Sequence, residues 1–106
     1  KLLLPLGQVK RTALLQNFPN PFNPETWIPF ELAASADVTI TVYDLAGNAV
    51  RTFKLGAQPA GVYSRRDGAA YWDGRNDTGE PVGSGVYYYT MQAGEHAATR
   101  RMVLLK

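Results

Sequence analysis

The fold is limited most strongly by the stretch Leu15-Gln16-Asn17-Phe18-Pro19-Asn20-Pro21-Phe22-Asn23-Pro24. Each of its prolines fixes φ and removes a backbone donor, and each moves the preceding residue toward extended geometry. The segment therefore cannot be a helix or a central strand. We expect it to lie extended along a sheet edge, where prolines also protect against edge-to-edge aggregation. Phe18 and Phe22 are its expected apolar anchors against the core.

Downstream of this segment, apolar and polar residues alternate as they do in half-buried strands. Residues 38–44 place Val38, Ile40 and Val42 on one face, and Tyr87 and Tyr89 share one face in the same way. Turn residues separate about seven such segments, and none has apolar residues at helical spacing. These patterns predict an all-β fold, an Ig-like or fibronectin type III-like antiparallel β-sandwich of about seven strands.

Three local features lead to more detailed expectations. Residues 27–32 read as a strand that follows the proline segment directly. Residues 49–55 have apolar side chains on both faces, which favours a β-bulge. Asp67-Gly68, between residues 62–65 and 70–72, is a strong two-residue turn signal and predicts an extra hairpin there.

Composition and charge exclude several classes of function. The chain has 106 residues, no cysteine and a net charge of +2, so one domain without disulfides or thiol chemistry is expected. Its arginine pairs, at 65–66 and 100–101, are too sparse for a nucleic-acid footprint, and no apolar run reaches membrane-spanning length. We predict no nucleic-acid partner, no membrane insertion and a monomeric isolated domain. Residues 1–11 are the predicted linker from a preceding domain, and residues 12–106 the folded domain.

Candidate sites for chemistry are few. Asp73, Asn76 and Asp77 are weak metal candidates, because their spacing fails the EF-hand pattern and favours a turn built on side-chain oxygens. His96 is the one histidine of the chain, and no serine lies in a nucleophile-elbow pattern. We therefore predict neither an enzyme nor a cofactor. An exposed Trp27 beside Phe22 would instead indicate a binding surface.

Five motifs, taken in order, give the chain a specific resemblance. They are the stretch 15–24, Val42-Tyr43-Asp44-Leu45-Ala46-Gly47, Trp72-Asp73-Gly74-Arg75-Asn76-Asp77-Thr78-Gly79, Gly83-Ser84-Gly85-Val86-Tyr87-Tyr88-Tyr89 and Thr99-Arg100-Arg101-Met102-Val103-Leu104-Leu105-Lys106. Together they resemble the C-terminal sorting domain of type IX secretion substrates, and the strand pattern is similar to the Ig-like domain of the flagellar hook-capping protein. Residues 64–70 depart from the family pattern as an insertion.

The resemblance implies a non-catalytic C-terminal module of a larger exported bacterial protein, secreted or held at the cell surface. Such a module acts as a sorting and surface-anchoring signal, and its implied partner is a secretion-machinery or surface protein. The candidate recognition residues lie in the first and last motifs: Phe18, Pro19, Asn20, Pro21, Phe22, Arg100, Arg101 and Lys106. Two alternatives stay open at this point. The domain could be a generic Ig-like spacer or adhesion module that binds protein or glycan, or a self-assembling structural module.

Overall fold

A computed structural model describes residues 9–106, and within that range every regular element is a β-strand. The nine strands are β1 (Ala13–Leu14), β2 (Thr26–Ile28), β3 (Phe30–Leu32), β4 (Ala36–Tyr43), β5 (Ala49–Gln58), β6 (Gly61–Tyr63), β7 (Ala70–Trp72), β8 (Gly85–Ala93) and β9 (His96–Leu104). The all-β prediction is confirmed. The count exceeds seven because several strands are only two or three residues long.

The strands form an Ig-like antiparallel sandwich. One sheet has four strands in the order β5-β4-β8-β9, and the opposing strands form a three-stranded sheet, β1-β3-β6, and a two-stranded sheet, β2-β7. Pro29 divides the predicted strand at 27–32 into β2 and β3. Proline has no N–H to donate to a sheet, and the chain changes partner at this residue, from β7 to β1 and β6.

The core lies between the two layers and follows the period-2 pattern. Val38, Ile40 and Val42 of β4 are buried, and Tyr87 and Tyr89 of β8 are buried beside them. The remaining large buried side chains come from both layers and include Phe22, Ile28, Phe30, Leu32, Trp72, Met91, Met102 and Leu104. The predicted inward faces of β4 and β8 are therefore confirmed.

The predicted hairpin around Asp67-Gly68 is wrong. Strand β6 pairs with β3 and β7 pairs with β2, so the two flanking strands belong to different sheets. The carbonyl of Arg65 accepts hydrogen bonds from the amides of Gly68, at 2.9 Å, and Ala69, at 2.7 Å. The turn signal is real, but it redirects the chain from one small sheet to the other and does not join paired strands.

The bulge expected in β5 is present. The register passes from Val38 opposite Gly56 to Thr39 opposite Lys54, which leaves Leu55 as the extra residue. The described part of the chain contains no helix long and apolar enough to cross a membrane. The predicted linker at 1–11 lies mostly outside the described residues, and the boundary at residue 12 stays a prediction.

Candidate recognition surface

The first and last motifs of the chain meet at the free edge of β9. The amide of Phe22 donates to the carbonyl of Val103 at 3.0 Å, and the amide of Leu105 donates to the carbonyl of Phe22 at 3.0 Å. The side-chain oxygen of Asn20 accepts the amide of Val103 at 2.9 Å. The proline segment thus lies along a sheet edge and joins the end of the last strand. We call residues 19–22 together with 101–106 the terminal surface.

The two phenylalanines of the proline segment have different environments. Phe22 is only 2% exposed, and its ring lies 5.6 Å from that of Trp72. Phe18 is half-buried and stacks on Trp27, with 6.1 Å between the ring centroids. Phe22 is therefore a core anchor that a partner cannot reach while the domain is folded. Phe18 belongs to a separate outer face.

The exposed part of the terminal surface includes prolines, cations and the side chain of Leu105, which is 56% exposed. Pro19, Asn20 and Pro21 are exposed, as are Arg101 and Lys106. The amide of Lys106 donates to the hydroxyl oxygen of Ser84 at 2.9 Å, which holds the last residue against the loop before β8. A partner approaching this edge would meet rigid proline rings beside positive charge.

Arg100 and Arg101 point to opposite faces of β9, as expected for neighbours on a strand. The Nε of Arg100 donates to the carbonyl of Leu14 at 2.6 Å, so this side chain lies against β1. Arg101 lies opposite Tyr88 in the register of β8 and β9. The structure therefore brings Arg101 to the terminal surface and separates Arg100 from it.

A buried hydroxyl attaches the start of the proline segment to the main sheet. The hydroxyl of Tyr89 donates to the carbonyl of Leu15 at 2.8 Å and accepts the amide of Asn17 at 2.9 Å. The side chain of Asn17 donates to the Thr26 hydroxyl at 3.0 Å. Burial raises the pKa of Tyr89 to about 12, so this hydroxyl stays protonated at neutral pH and can donate.

An aromatic strip covers the outer face of β2 and β7. Trp27 and Tyr71 are register partners with 5.3 Å between their ring centroids, and Phe18 stacks on the same Trp27. The Arg66 guanidinium lies 4.4 Å above the Trp27 ring, and the Tyr71 hydroxyl donates to the Glu25 carboxylate at 2.6 Å. This hydrogen bond raises the pKa of Tyr71.

The aromatic strip differs in composition from the surface that an exposed Trp27 beside Phe22 would have indicated. Trp27 is half-buried, Phe22 is in the core, and Phe18 stacks on Trp27. Tyr71 and Arg66 join the strip only because β7 pairs with β2. The incorrect hairpin prediction therefore concealed this cluster. Its sequence signal is an aromatic residue at the middle position of each three-residue strand, where the two neighbours are buried.

The metal candidates in loop 73–81 accept hydrogen bonds from backbone amides of the loop and of β5. Asn76 Oδ1 accepts the amides of Thr78, at 3.1 Å, and Glu80, at 2.9 Å. Asp77 Oδ1 accepts the amide of Thr52 at 3.1 Å, and Asp73 Oδ1 accepts the amide of Arg75 at 3.0 Å. Residues 9–106 contain no group of three or more potential metal ligands. The side-chain oxygens of Asp73 and Asn76 stabilise turns within the loop, and that of Asp77 attaches the loop to β5.

Comparison with known sequences identifies the central part of the fold. The sequence profile of the FlgD Ig-like domain matches residues 22–97. The chain belongs to the FlgD Ig-like domain family. FlgD from P. aeruginosa has 28% sequence identity and a TM-score of 0.52, over 69% of this chain and 54% of that one. Among curated proteins, no sequence matches the chain.

Two further solved structures share the Ig-like fold. Dimeric latent PorU from Porphyromonas gingivalis has 20% identity and a TM-score of 0.65, over 89% of this chain and 9% of that one. PorZ from the same organism, described as an essential surface component of its type IX secretion system, has 16% identity and a TM-score of 0.58, over 95% of this chain and 12% of that one. The chain thus spans about a tenth of either protein.

The family match also separates the Ig-like core from the terminal surface. Residues 19–21 precede the matched range and residues 101–106 follow it, and the hydrogen bond from the Val103 amide to the Asn20 side chain joins the two flanks. The terminal surface is therefore made almost entirely of residues that flank the part matching the FlgD Ig-like domain.

Proposed function

We propose that this FlgD Ig-like domain is a non-catalytic C-terminal module of a larger exported bacterial protein, secreted or anchored at the cell surface, and that it acts as the sorting signal. The supporting observation is the terminal surface. It joins the first and the last of the five motifs that resemble a sorting domain, and all of it except Phe22 lies outside the matched Ig-like range. The fold shared with PorU and PorZ is consistent with this role.

The proposed partner is a protein of the secretion machinery or of the cell surface. It would contact Pro19, Pro21, Arg101 and Lys106, which are exposed side chains on one edge. Because that edge is held together by backbone hydrogen bonds between distant residues, the partner would recognise a folded surface and not a linear peptide. Phe22 would contribute through folding alone.

A reporter fusion tests the sorting role. An inert periplasmic reporter is joined before residue 1 and expressed in a host with type IX machinery and in a strain that lacks the machinery. We expect the reporter outside the cells of the first strain and within the periplasm of the second. Retention of the folded fusion in the periplasm of both strains would contradict the proposal.

The aromatic strip favours a second candidate function, adhesion to a glycan or protein. Tyr71 is 45% exposed and contacts Trp27 and Glu25. Phe18 and Arg66 pack on Trp27, so the strip presents both apolar area and hydrogen-bonding groups. Aromatic faces of this kind stack on sugar rings and on apolar side chains. A glycan array probed with wild-type domain and with Trp27→Ala tests it. Binding by the wild type and its loss in the variant support adhesion, whereas no binding by either excludes a glycan ligand of that array.

A further inference from the structure

A basic recess opens between β1 and the first half of β9. It has a volume of about 330 Å³, and its lining includes Arg11, Thr12, Leu14, His96, Thr99 and Arg100. Neither the terminal surface nor the aromatic strip includes it. The two-residue strand β1 lies against this part of β9, where Arg100 donates to the carbonyl of Leu14.

The inward face of β9 changes character along its length. Met102 and Leu104 are fully buried in the core, whereas His96 and Arg100 occupy the same face nearer the strand's start and line the recess. Arg100 is exposed and His96 is half-buried, so this end of the inward face is open to solvent and is not part of the core. His96 and Arg100 therefore lie at the boundary between the core and the recess.

The imidazole of His96 has an unused polar atom. Its Nε2 is buried and has no hydrogen-bond partner among the described residues. Buried polar atoms without a partner are rare and unfavourable, so each one calls for an explanation such as an absent ligand or ion. Because this atom belongs to a residue lining the recess, a ligand bound there could satisfy it.

The other polar groups of the recess are mainly donors. Arg100 uses its Nε on the Leu14 carbonyl at 2.6 Å, which fixes the guanidinium and leaves its two terminal nitrogens for a ligand. Arg11 supplies a second, exposed guanidinium. The Thr12 hydroxyl oxygen accepts the amide of Ala33 at 3.0 Å, so its proton is available. No carboxylate is among the described residues that line the recess.

We propose that the basic recess binds a phosphate group. Two guanidiniums match a phosphate, whose charge is about −1.5 to −2 at neutral pH, better than they match a carboxylate with a single charge. Charge-assisted bonds from arginine to phosphate are short and often paired, and the imidazole and hydroxyl groups supply further donors around the tetrahedral oxygens. The phosphate is either free inorganic phosphate or the monoester of a small molecule.

The proposal is tested by NMR titration of the 106-residue chain with inorganic phosphate, glucose 6-phosphate and acetate, at constant ionic strength. We expect saturable shifts of the His96 and Thr99 amides with phosphate, and tighter binding by the monoester if it is the natural form. Acetate binding as tight as phosphate would overturn the proposal, and so would an absence of saturable shifts with all three ligands.

Charge-matched variants distinguish specific phosphate binding in the recess from nonspecific electrostatic attraction of phosphate to the domain. Arg11→Gln removes an exposed guanidinium of the recess, and Arg101→Gln removes the same charge from the opposite face of β9. We expect phosphate affinity to fall about tenfold in Arg11→Gln, since charge-assisted bonds are lost, and less than about twofold in Arg101→Gln, where only screened long-range charge is lost. Equal weakening by the two variants would show nonspecific attraction and reject the site.

Discussion

Removing the Tyr89 hydroxyl measures how much its hydrogen bonds to the proline segment stabilise the fold. It donates to the Leu15 carbonyl and accepts the Asn17 amide, across 74 and 72 residues of sequence. Tyr89→Phe removes only this oxygen and keeps the buried ring. The change therefore leaves one donor and one acceptor without a partner, in a region where Asn17 is 2% exposed.

The expected cost follows from the two groups left unpaired. An unsatisfied buried group costs about 1–3 kcal/mol, and Leu15 is only half-buried, so its carbonyl lies at the low end of this range. We expect Tyr89→Phe to lower the free energy of unfolding by about 2–3 kcal/mol. For a domain of this size the midpoint of thermal unfolding would fall by roughly 10–20 °C.

Urea denaturation followed by tryptophan fluorescence measures this cost, with Tyr88→Phe as the matched control. Tyr88 is 39% exposed and points away from the core, so its variant should change the free energy of unfolding by less than about 0.5 kcal/mol. An unchanged m-value would show that stability alone has shifted. If Tyr89→Phe were no less stable than Tyr88→Phe, the hydroxyl would not hold the segment in place.

The raised pKa of Tyr89 gives this attachment a pH dependence. The folded protein holds the phenolic proton up to a pKa of about 12, whereas the unfolded chain releases it near pH 10. The stabilisation is therefore complete below about pH 10 and is lost between about pH 10 and 12, by up to about 1.4 kcal/mol per pH unit. Urea titrations from pH 8 to 11.5 should show the advantage of wild type over Tyr89→Phe shrinking in that window. A constant difference would contradict this sign.

Three further predictions concern packing, backbone geometry and assembly. Phe22→Ala should lower the free energy of unfolding by about 3–5 kcal/mol because its ring is buried. Phe18→Ala, at a half-buried position, should lower it by less than half as much. Equal urea midpoints of the two variants would contradict this. Gly74 has φ +77° and an added Cβ would lie 2.7 Å from the Pro24 carbonyl oxygen, whereas Gly79 has φ +87° and open space. Gly74→Ala should therefore cost more than about 2 kcal/mol and Gly79→Ala about 1 kcal/mol, and the reverse order in thermal melts would refute the clash. Light scattering of the isolated domain should report a monomer at high concentration, and a concentration-dependent dimer would contradict that expectation.

The fold class could be predicted because its signals are local. Alternation in β4 and β8 identifies the inward faces of both strands from a few neighbouring residues. The partner of each short strand could not be predicted in the same way. Asp67-Gly68 specifies that the chain turns, but the pairing of Ala70–Trp72 with β2 depends on packing of residues more than 40 positions apart.

The candidate site shows the same division between local and long-range information. The prolines specify an extended edge segment, and Phe22 is recognisable as an anchor. However, the hydrogen bond of Asn20 with Val103 spans 83 residues. The alternation of apolar and polar residues gives no information about a contact at that separation. The basic recess likewise has no signal in the sequence, because Arg11 and His96, which both line it, are far apart along the chain.

The central claim is that the terminal surface directs export, and charge reversal on that surface tests it most directly. The reporter fusion would carry Arg101→Glu with Lys106→Glu, and a control fusion would carry Lys54→Glu with Arg65→Glu, at exposed positions of β5 and of the turn after β6. Both isolated domains should keep the wild-type thermal midpoint. The account predicts that the secreted fraction of reporter falls severalfold in the first fusion and is unchanged in the control. Equal secretion by the two folded fusions would contradict it.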